Sequence, residues 1–204
     1  MAQIIDGKAV SAAVKNEVAE EAAKLRDEKG LKIGLAVVIV GNNPASRVYV
    51  NNKKKACEAV GFQSFEYALD ENTTQEQLLD LVDVLNRDSR VNGILVQLPL
   101  PKHIDETAII NAISYEKDVD AFHPTNVGKI MIGDYSFLPC TPAGVMDLIA
   151  STGVEICGKK CGNIFVLVFG NDLIVYVVDR CLENSILAVE LPIVGEPVGV
   201  VAGI

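Results

Sequence analysis

The chain has 204 residues, half of them hydrophobic, which is enough to bury the core of one large domain or two small ones. Its 18 Lys and Arg against 27 Asp and Glu give a formal net charge of −9, which argues against nucleic acid or an anionic membrane as the main partner. Five cysteines without a CxxC pair and only two histidines predict neither a disulfide framework nor a metal site. The N-terminus lacks a secretory pattern and the apolar stretches are interrupted, so we expect a cytoplasmic protein without a membrane span.

Helices and strands alternate along most of the chain. In chain order, the apolar spacing predicts helix 8–29, strand 32–40, helix 44–60, strand 62–69, a helix from position 73, strand 91–96, helix 104–113 and a helix from position 141. Gly30 ends the first helix, Thr73 and Glu76 form a capping box, and Thr141 caps a helix with Pro142 at its first position. This alternation predicts an α/β fold with a mostly parallel sheet covered on both faces and with ligand chemistry at the carboxyl ends of its strands.

The first candidate site is the pair Tyr49 and Lys53 on the predicted helix 44–60. Residues four apart lie on one face of a helix, so the phenol and the ammonium can share a pocket. A lysine shielded from water beside a phenol can have its pKa lowered toward neutrality and can then move protons. A solvated basic face with a half-buried tyrosine fits the same spacing, and the pair alone does not separate these interpretations.

Two further candidates follow the third strand. Gln97 stands at the carboxyl end of that strand, where its amide oxygen can accept a hydrogen bond from a lysine. Asp118 and Asp120 flank one valine in a turn-rich segment, where one carboxylate can cap a turn while the other faces a ligand. His123 precedes a proline, and we interpret it as structural. A strand terminator and hydrated surface carboxylates are the alternatives for these positions.

Four ordered sequence blocks are more specific together than any one of them. They are Ser46-x-x-Tyr49-x-x-x-Lys53-x-Lys55, Val96-Gln97-Leu98-Pro99-Leu100-Pro101, Lys117-Asp118-Val119-Asp120-x-Phe122-His123-Pro124 and Pro139-Cys140-Thr141-Pro142-x-Gly144. In order and separation they closely resemble the bifunctional methylenetetrahydrofolate dehydrogenase/cyclohydrolase family, and the resemblance covers about residues 1–161.

The resemblance implies two reactions of one-carbon metabolism, which feeds purine biosynthesis. NADP oxidises 5,10-methylenetetrahydrofolate to the 5,10-methenyl form, which is then hydrolysed to 10-formyltetrahydrofolate. In that family, the lysine matching Lys53 is the key catalytic residue of the hydrolysis, and the glutamine matching Gln97 tunes its protonation. The tyrosine matching Tyr49 packs against the substrate's aromatic portion, and the aspartate matching Asp120 anchors the pterin. Family members are commonly homodimers, so we expect one here.

The C-terminal part of the chain departs from the family pattern. The loop Gly-Arg-Ser-x-Ile-Val-Gly-x-Pro does not follow Cys161, and a truncation, a frameshift or gaps would each produce such a tail. Residues 162–204 contain a single basic residue, Arg180, and five acidic residues: Asp172, Asp179, Glu183, Glu190 and Glu196. This excess of negative charge is a poor setting for a 2′-phosphate.

We therefore predict two domains. Residues 1–138 form the tetrahydrofolate dehydrogenase/cyclohydrolase catalytic domain, with a three-layer parallel-sheet fold. Residues 139–204 form a partial or aberrant Rossmann-type NADP-binding domain, in which the resemblance assigns Thr141 and Gly170 to cofactor binding. The residues for hydrolysis all lie before position 121, so this activity can partly survive a damaged cofactor half.

Two other functions share some of these sequence features. Short-chain dehydrogenases also use a Tyr-x-x-x-Lys pair, but they begin with a glycine-rich nucleotide loop, and Gly41-Asn42-Asn43-Pro44 is not one. An inert folate-binding or dimerisation module stays open, because the damaged cofactor half would leave binding without oxidation.

Overall fold

The structure is a computed structural model that describes residues 3–155 and the strands at 163–169, 172–178, 186–192 and 199–202. The chain divides into two compact units. One comprises residues 15–142, and the other comprises residues 1–14 together with residues 143–204. The elements are β1 (Gln3–Asp6), α1 (Gly7–Lys29), β2 (Gly34–Val40), α2 (Pro44–Val60), β3 (Gln63–Leu69), α3 (Gln75–Arg87), β4 (Gly93–Val96), α4 (Glu106–Ala112), α5 (Pro124–Ile132), α6 (Cys140–Ala150), β5 (Asn163–Phe169), β6 (Asp172–Val178), β7 (Ile186–Pro192) and β8 (Gly199–Ala202).

The unit at residues 15–142 is built on a parallel sheet of three strands in the order β3-β2-β4. The central strand β2 is apolar throughout because both of its faces are covered. Ala36 and Val38 enter the core on one face, while Val37 and Ile39 enter the core on the other. The predicted α/β fold with a parallel sheet is confirmed.

Helices cover both faces of this sheet. The helix α3 packs Leu78, Val82 and Leu85 into the core of one face, and all three side chains are fully buried. Each such side chain stabilises the fold by about 1.5–3 kcal/mol. Val50 of α2 is buried in the core of the opposite face. The α2 helix is thereby held against the sheet in the unit that contains the candidate site.

The capping box of α3 lies one residue later than predicted. Thr74 accepts a hydrogen bond from the backbone N–H of Gln77, whose side chain accepts one from the N–H of Thr74. Both Thr-x-x-Glu and Thr-x-x-Gln satisfy the capping pattern, so the sequence alone does not choose between them. Thr73 is instead buried, and its carbonyl contacts the His103 ring at 2.9 Å. The predicted box of Thr73 and Glu76 is therefore wrong.

The last helix also begins earlier than predicted. The α6 helix starts at Cys140, so Thr141 is helical rather than a cap and Pro142 is the third helical residue. A proline is tolerated there because the amides of the first turn have no partner within the helix. Within residues 3–155, β1 and α5 are the two elements that the sequence analysis does not predict.

The second unit contains an antiparallel sheet in the order β1-β8-β7-β6-β5. A Rossmann-type domain pairs its strands in parallel and connects them by crossovers of about a dozen or more residues. Only positions 170 and 171 separate β5 from β6, which suits a hairpin. The described strands of this region are thus antiparallel, whereas the predicted Rossmann-type domain requires parallel strands.

Candidate active site

Tyr49 and Lys53 lie one turn apart on α2. The start of this helix is fixed by Asn43, whose side chain accepts hydrogen bonds from the N–H groups of Ala45 and Ser46. Lys53 Nζ lies 5.6 Å from the centroid of the Tyr49 ring, within the range of a cation–π contact. The two side chains share one environment, as their spacing predicts.

Gln97 presents its amide oxygen to Lys53. Its backbone N–H donates to the carbonyl of Val38, which holds the residue beside the central strand just after β4. Its side-chain Nε2 donates to the carbonyl of Leu98 at 2.9 Å, so Oε1 is the atom that accepts from Lys53 Nζ at 3.1 Å. An ammonium has three donors, and within the described residues Gln97 satisfies one of them. Two donors of Lys53 stay available to a ligand.

Asp120 completes the group of predicted side chains. It lines a cavity of about 230 Å³ together with Tyr49, Lys53 and Gln97, and the apolar side chains of Leu98 and Phe122 also line it. No direct ion pair joins Lys53 to Asp120 in the described part of the chain. The amine, the amide and the carboxylate therefore face a common space without closing it.

Burial in this cavity favours the neutral forms of Lys53 and Asp120. Burial lowers the pKa of Lys53, and the nearby Asp120 and Cys140 oppose that effect. Burial raises the pKa of Asp120, which the charge of Lys53 opposes and the charge of Asp118 reinforces. Burial also raises the pKa of the Cys140 thiol. The amine of Lys53 consequently releases a proton more easily than a solvated lysine does.

These groups can hold a flat heterocycle. A carboxylate can accept two adjacent N–H groups of one ring edge, which gives Asp120 a binding role. The Tyr49 ring offers a stacking surface, and Leu98 and Phe122 provide apolar contact. Lys53 has free donors and a lowered pKa, so it suits proton transfer to or from a bound molecule.

Of the two residues predicted to bind a cofactor, Thr141 does not line this cavity. Thr141 is exposed in the first turn of α6, and Gly170 lies outside the described residues. Residues 139–155 contain no Lys or Arg. Among residues 139–155, the first-turn amides of α6 are therefore the groups that could contact a dinucleotide phosphate.

A larger cavity lies elsewhere at the carboxyl ends of the strands. It measures about 360 Å³, and its lining includes Gly41, Asn42, Asn43, Glu71, Pro99 and Pro101. Glu71 is its one titratable side chain and no base faces it, so the chemistry favours the smaller cavity. In the described part of the chain, no cluster of His, Cys, Asp and Glu could hold a metal ion, and no helix is long and apolar enough to cross a membrane.

Sequence reasoning missed two residues next to the site. Asn126 is buried and donates to the carboxylate of Asp118, and Lys117 donates to two backbone carbonyls. The sequence predicted that one carboxylate of the aspartate pair caps a turn while the other faces a ligand. In the structure Asp118 accepts hydrogen bonds within a turn, and Asp120 lines the cavity. No local pattern marks Asn126, because its partner lies eight positions away across a loop.

The fold and the cavity define a class of α/β domain in which a lysine with an amide partner and a carboxylate share a cleft beside a parallel sheet. Residues 5–120 match the family described as the tetrahydrofolate dehydrogenase/cyclohydrolase catalytic domain. The chain therefore belongs to the tetrahydrofolate dehydrogenase/cyclohydrolase family.

The curated relatives are named bifunctional proteins. The bifunctional protein FolD of Acetivibrio thermocellus is 61% identical over 160 residues, which are 78% of this chain and 56% of that protein. FolD of Geotalea daltonii is 53% identical over 187 residues, 91% of this chain and 65% of that protein. Thus the matched part of the chain spans little more than half the length of several of these relatives.

Solved structures agree with this assignment. The bifunctional FolD methylenetetrahydrofolate dehydrogenase/cyclohydrolase of Campylobacter jejuni superimposes with a TM-score of 0.73 at 51% identity, over 76% of this chain and 55% of that one. The Trypanosoma brucei enzyme, complexed with NADP and an inhibitor, gives a TM-score of 0.73 at 44% identity, over 78% of this chain and 54% of that one.

Proposed function

We propose that the chain hydrolyses 5,10-methenyltetrahydrofolate to 10-formyltetrahydrofolate in the cavity of Lys53. One observation carries the proposal: a partly buried lysine with a lowered pKa donates to a neutral amide at 3.1 Å and faces the same space as a carboxylate. A neutral amide holds the amine in place. Unlike a carboxylate, it does not strongly stabilise the protonated form of that amine. The family assignment supplies the substrate class.

The balance of atoms gives Lys53 a defined role. Water adds to the carbon that bridges N5 and N10 of the cationic substrate, and the neutral amine of Lys53 accepts one proton from that water. The bond between this carbon and N5 then breaks, and N5 takes the proton that Lys53 had accepted. The hydroxyl oxygen loses its remaining proton to solvent and becomes the formyl oxygen on N10. One proton is thus released overall, and the amine of Lys53 first accepts and then donates a proton.

The other side chains bind and orient the substrate. Asp120 would accept N–H groups from the amino-pyrimidine edge of the pterin, and Tyr49 would stack on the aromatic portion. Gln97 would orient the amine through the hydrogen bond to Lys53 Nζ. These roles need the substrate to lie between Lys53 and Asp120, which are not joined by an ion pair.

NADP-dependent oxidation of 5,10-methylenetetrahydrofolate is our second proposed activity, supported by the name of the Campylobacter jejuni methylenetetrahydrofolate dehydrogenase/cyclohydrolase and by the NADP-bound neighbour. NADP would supply the hydride acceptor. Residues 139–155 contain no Lys or Arg to hold the nucleotide phosphates, whereas Lys53, Gln97 and Asp120 support hydrolysis directly. An inert binding module is disfavoured, because binding alone gives no reason for a lysine with a lowered pKa.

We further propose a cytoplasmic homodimer that acts in purine biosynthesis, on the basis of the family resemblance. The net charge of −9 supports a protein without a nucleic-acid partner. We also propose that the catalytic domain ends near residue 138, since the family match covers 5–120 and the compact unit covers 15–142.

The test uses the whole chain and 5,10-methenyltetrahydrofolate, with product identified by chromatography and the buffer-catalysed rate subtracted. We expect 10-formyltetrahydrofolate to form. Asp120→Asn should raise the KM about ten- to hundredfold, since a hydrogen bond to a charged group contributes about 1.5–3 kcal/mol. Asp134→Asn, at an exposed position, is the control and should leave KM unchanged.

Hydrolysis no faster than the buffer rate would refute the hydrolase proposal. A separate measurement of NADPH formation from 5,10-methylenetetrahydrofolate and NADP tests the oxidation, and its absence would remove that activity alone.

A further inference from the structure

A buried pair of side chains lies directly behind the turn that carries Asp120. The Asp118 and Asn126 residues are both 3% exposed. Asp118 Oδ2 accepts a hydrogen bond from Asn126 Nδ2 at 3.0 Å and another from the backbone N–H of His123 at 2.8 Å. Asn126 Nδ2 also donates to the carbonyl of Tyr115 at 2.9 Å. These bonds tie together the segments before and after the turn, and we name the pair the Asp118–Asn126 lock.

The turn closed by this lock has a backbone conformation that needs support. The N–H of Ala121 donates to the carbonyl of Asp118 at 3.3 Å, and Ala121 has a φ of +56° while being 1% exposed. Such a conformation is strained for a residue with a side chain, and it persists only where its surroundings impose it. The hydrogen bond from His123 N–H to Asp118 spans this residue and supplies part of that constraint.

The chain before the turn is held independently by β4. The N–H of Ile94 donates to the carbonyl of Lys117 at 2.7 Å, so the segment runs alongside the strand that precedes Gln97. Val119 occupies the space beside Gly93, where an added Cβ would approach Val119 Cγ1 to 2.5 Å. Asp120 follows this anchored residue and lies within the locked turn.

We propose that Asp118 and Asn126 are positioning residues that set the distance between the Asp120 carboxylate and the amine of Lys53. This inference rests on the proposed function for its consequence in turnover. The lock touches neither Lys53 nor Gln97, and it acts through the backbone that carries Asp120 and Phe122, two residues lining the cavity. Opening it frees that backbone between His123 and the β4 anchor. The carboxylate then loses its fixed place opposite the amine.

The first test compares Asn126→Ala with a matched control, Asn86→Ala. Asn86 also makes two hydrogen bonds to backbone groups, since it donates to the carbonyl of Ala112 at 2.8 Å and accepts from the N–H of Ser114 at 2.9 Å, but it does not line the cavity. We expect both variants to lower the Tm. Only Asn126→Ala should also raise the KM for 5,10-methenyltetrahydrofolate, by at least about tenfold, with a smaller change in kcat. An equal KM in the two variants would overturn the proposal.

The second test exchanges the two side chains, with each single variant as its reference. In Asp118→Asn combined with Asn126→Asp, the amide at 118 can donate to the carboxylate at 126 and still accept from the N–H of His123. The double variant should reverse part of the KM increase seen in Asn126→Asp, where two carboxylates face each other. The hydrogen bond to the Tyr115 carbonyl is lost in both variants, so it does not affect this comparison. A double variant with a KM no better than that of Asn126→Asp would contradict the lock.

A third measurement is independent of turnover. The carboxyl carbon of Asp120 is titrated by NMR in the protein without substrate, with Asp120→Asn identifying the signal. Burial raises the pKa of Asp120, so opening the turn in Asn126→Ala should return it toward the ordinary value, whereas Asn86→Ala should not. If the wild type fails to hydrolyse the substrate but this difference is seen, the proposed function fails and the positioning role stands. If the wild type is active and the difference is missing, only the positioning role fails.

Discussion

Two partly buried lysines of the same unit, Lys53 and Lys117, have opposite environments. Lys117 Nζ donates to the carbonyl of Leu85 at 3.1 Å and to that of Asp88 at 2.9 Å, and so it satisfies the C-terminal end of α3. Lys53 Nζ has one amide acceptor and faces a cavity. The number of fixed acceptors, rather than burial alone, separates a lysine that caps a helix from one that is available for proton transfer.

The largest expected effect is on the hydrolysis rate at the Lys53 cavity. Lys53→Met keeps a side chain of similar length without the amine, and kcat should fall by about 10²–10⁴-fold, the usual contribution of a general base. The free energy of unfolding should not fall correspondingly, because burial opposes the charged form of this lysine. Lys54→Met, at an exposed position on the same helix, is the control. Stopped-flow hydrolysis and urea unfolding measure the two quantities, and a kcat equal to that of the control would remove Lys53 from the mechanism.

A second prediction changes the acceptor of Lys53 from neutral to charged. In Gln97→Glu a carboxylate would stabilise the ammonium and raise the pKa of Lys53, by about 1–3 units for a close opposite charge. The rate of hydrolysis depends on the neutral amine, so it rises with pH through this pKa and the rise should move to higher pH. A pH–rate profile at saturating substrate checks it. An unchanged profile would mean that Gln97 does not tune the lysine.

The third prediction concerns the Lys117 anchor. Lys117→Met leaves the carbonyls of Leu85 and Asp88 without their donor in a partly buried place, which should cost about 1–3 kcal/mol of the free energy of unfolding. Urea denaturation measures this loss. The pH–rate profile of the folded protein should keep its midpoint, since Lys117 does not line the cavity. If the pH–rate profile of Lys117→Met shifts as far as that of Gln97→Glu, the proposed difference between the two lysines is wrong.

The smallest effect is expected at Asp88, whose side chain pairs with Arg90. Hydrogen bonds from Arg90 lower the pKa of Asp88 to about 2, below its ordinary value of 3.8. A carboxyl group with a lowered pKa stabilises the folded state above its ordinary pKa, and this contribution is lost as the pH falls toward about 2. Asp88→Asn should therefore be slightly less stable than the wild type at pH 7 and approach it at low pH. Urea unfolding across this pH range, with and without added salt, provides the check, and a stability difference that grows toward low pH would contradict it.

The sequence predicted the elements whose signals are local. The bounds of α2 agree at both ends because Asn43 and Gly61 are strong helix-end residues, and β2 was found from its continuous apolar run. The convergence of Tyr49, Lys53, Gln97 and Asp120 followed from the family resemblance and from the rule that ligands bind at carboxyl ends of parallel strands. The catalytic and binding roles of these residues stay predictions.

Non-local interactions account for what the sequence did not reveal. Thr73 and Thr74 offer equivalent caps, and the contact of Thr73 with His103 selects the second one. The partnership of Asp118 with Asn126 depends on how a loop folds back. The antiparallel order of β5 to β8 also follows from pairing partners, since apolar runs fit parallel and antiparallel strands alike.

The close approach of Val119 to Gly93 has an evolutionary consequence. Because a methyl group at position 93 would collide with that valine and also crowd Leu35, Gly93→Ala alone should be selected against. Val119→Ala would open the space that such a methyl group needs. In the family's history, positions 93 and 119 should therefore covary, with the first gaining bulk only in lineages where the second has lost it.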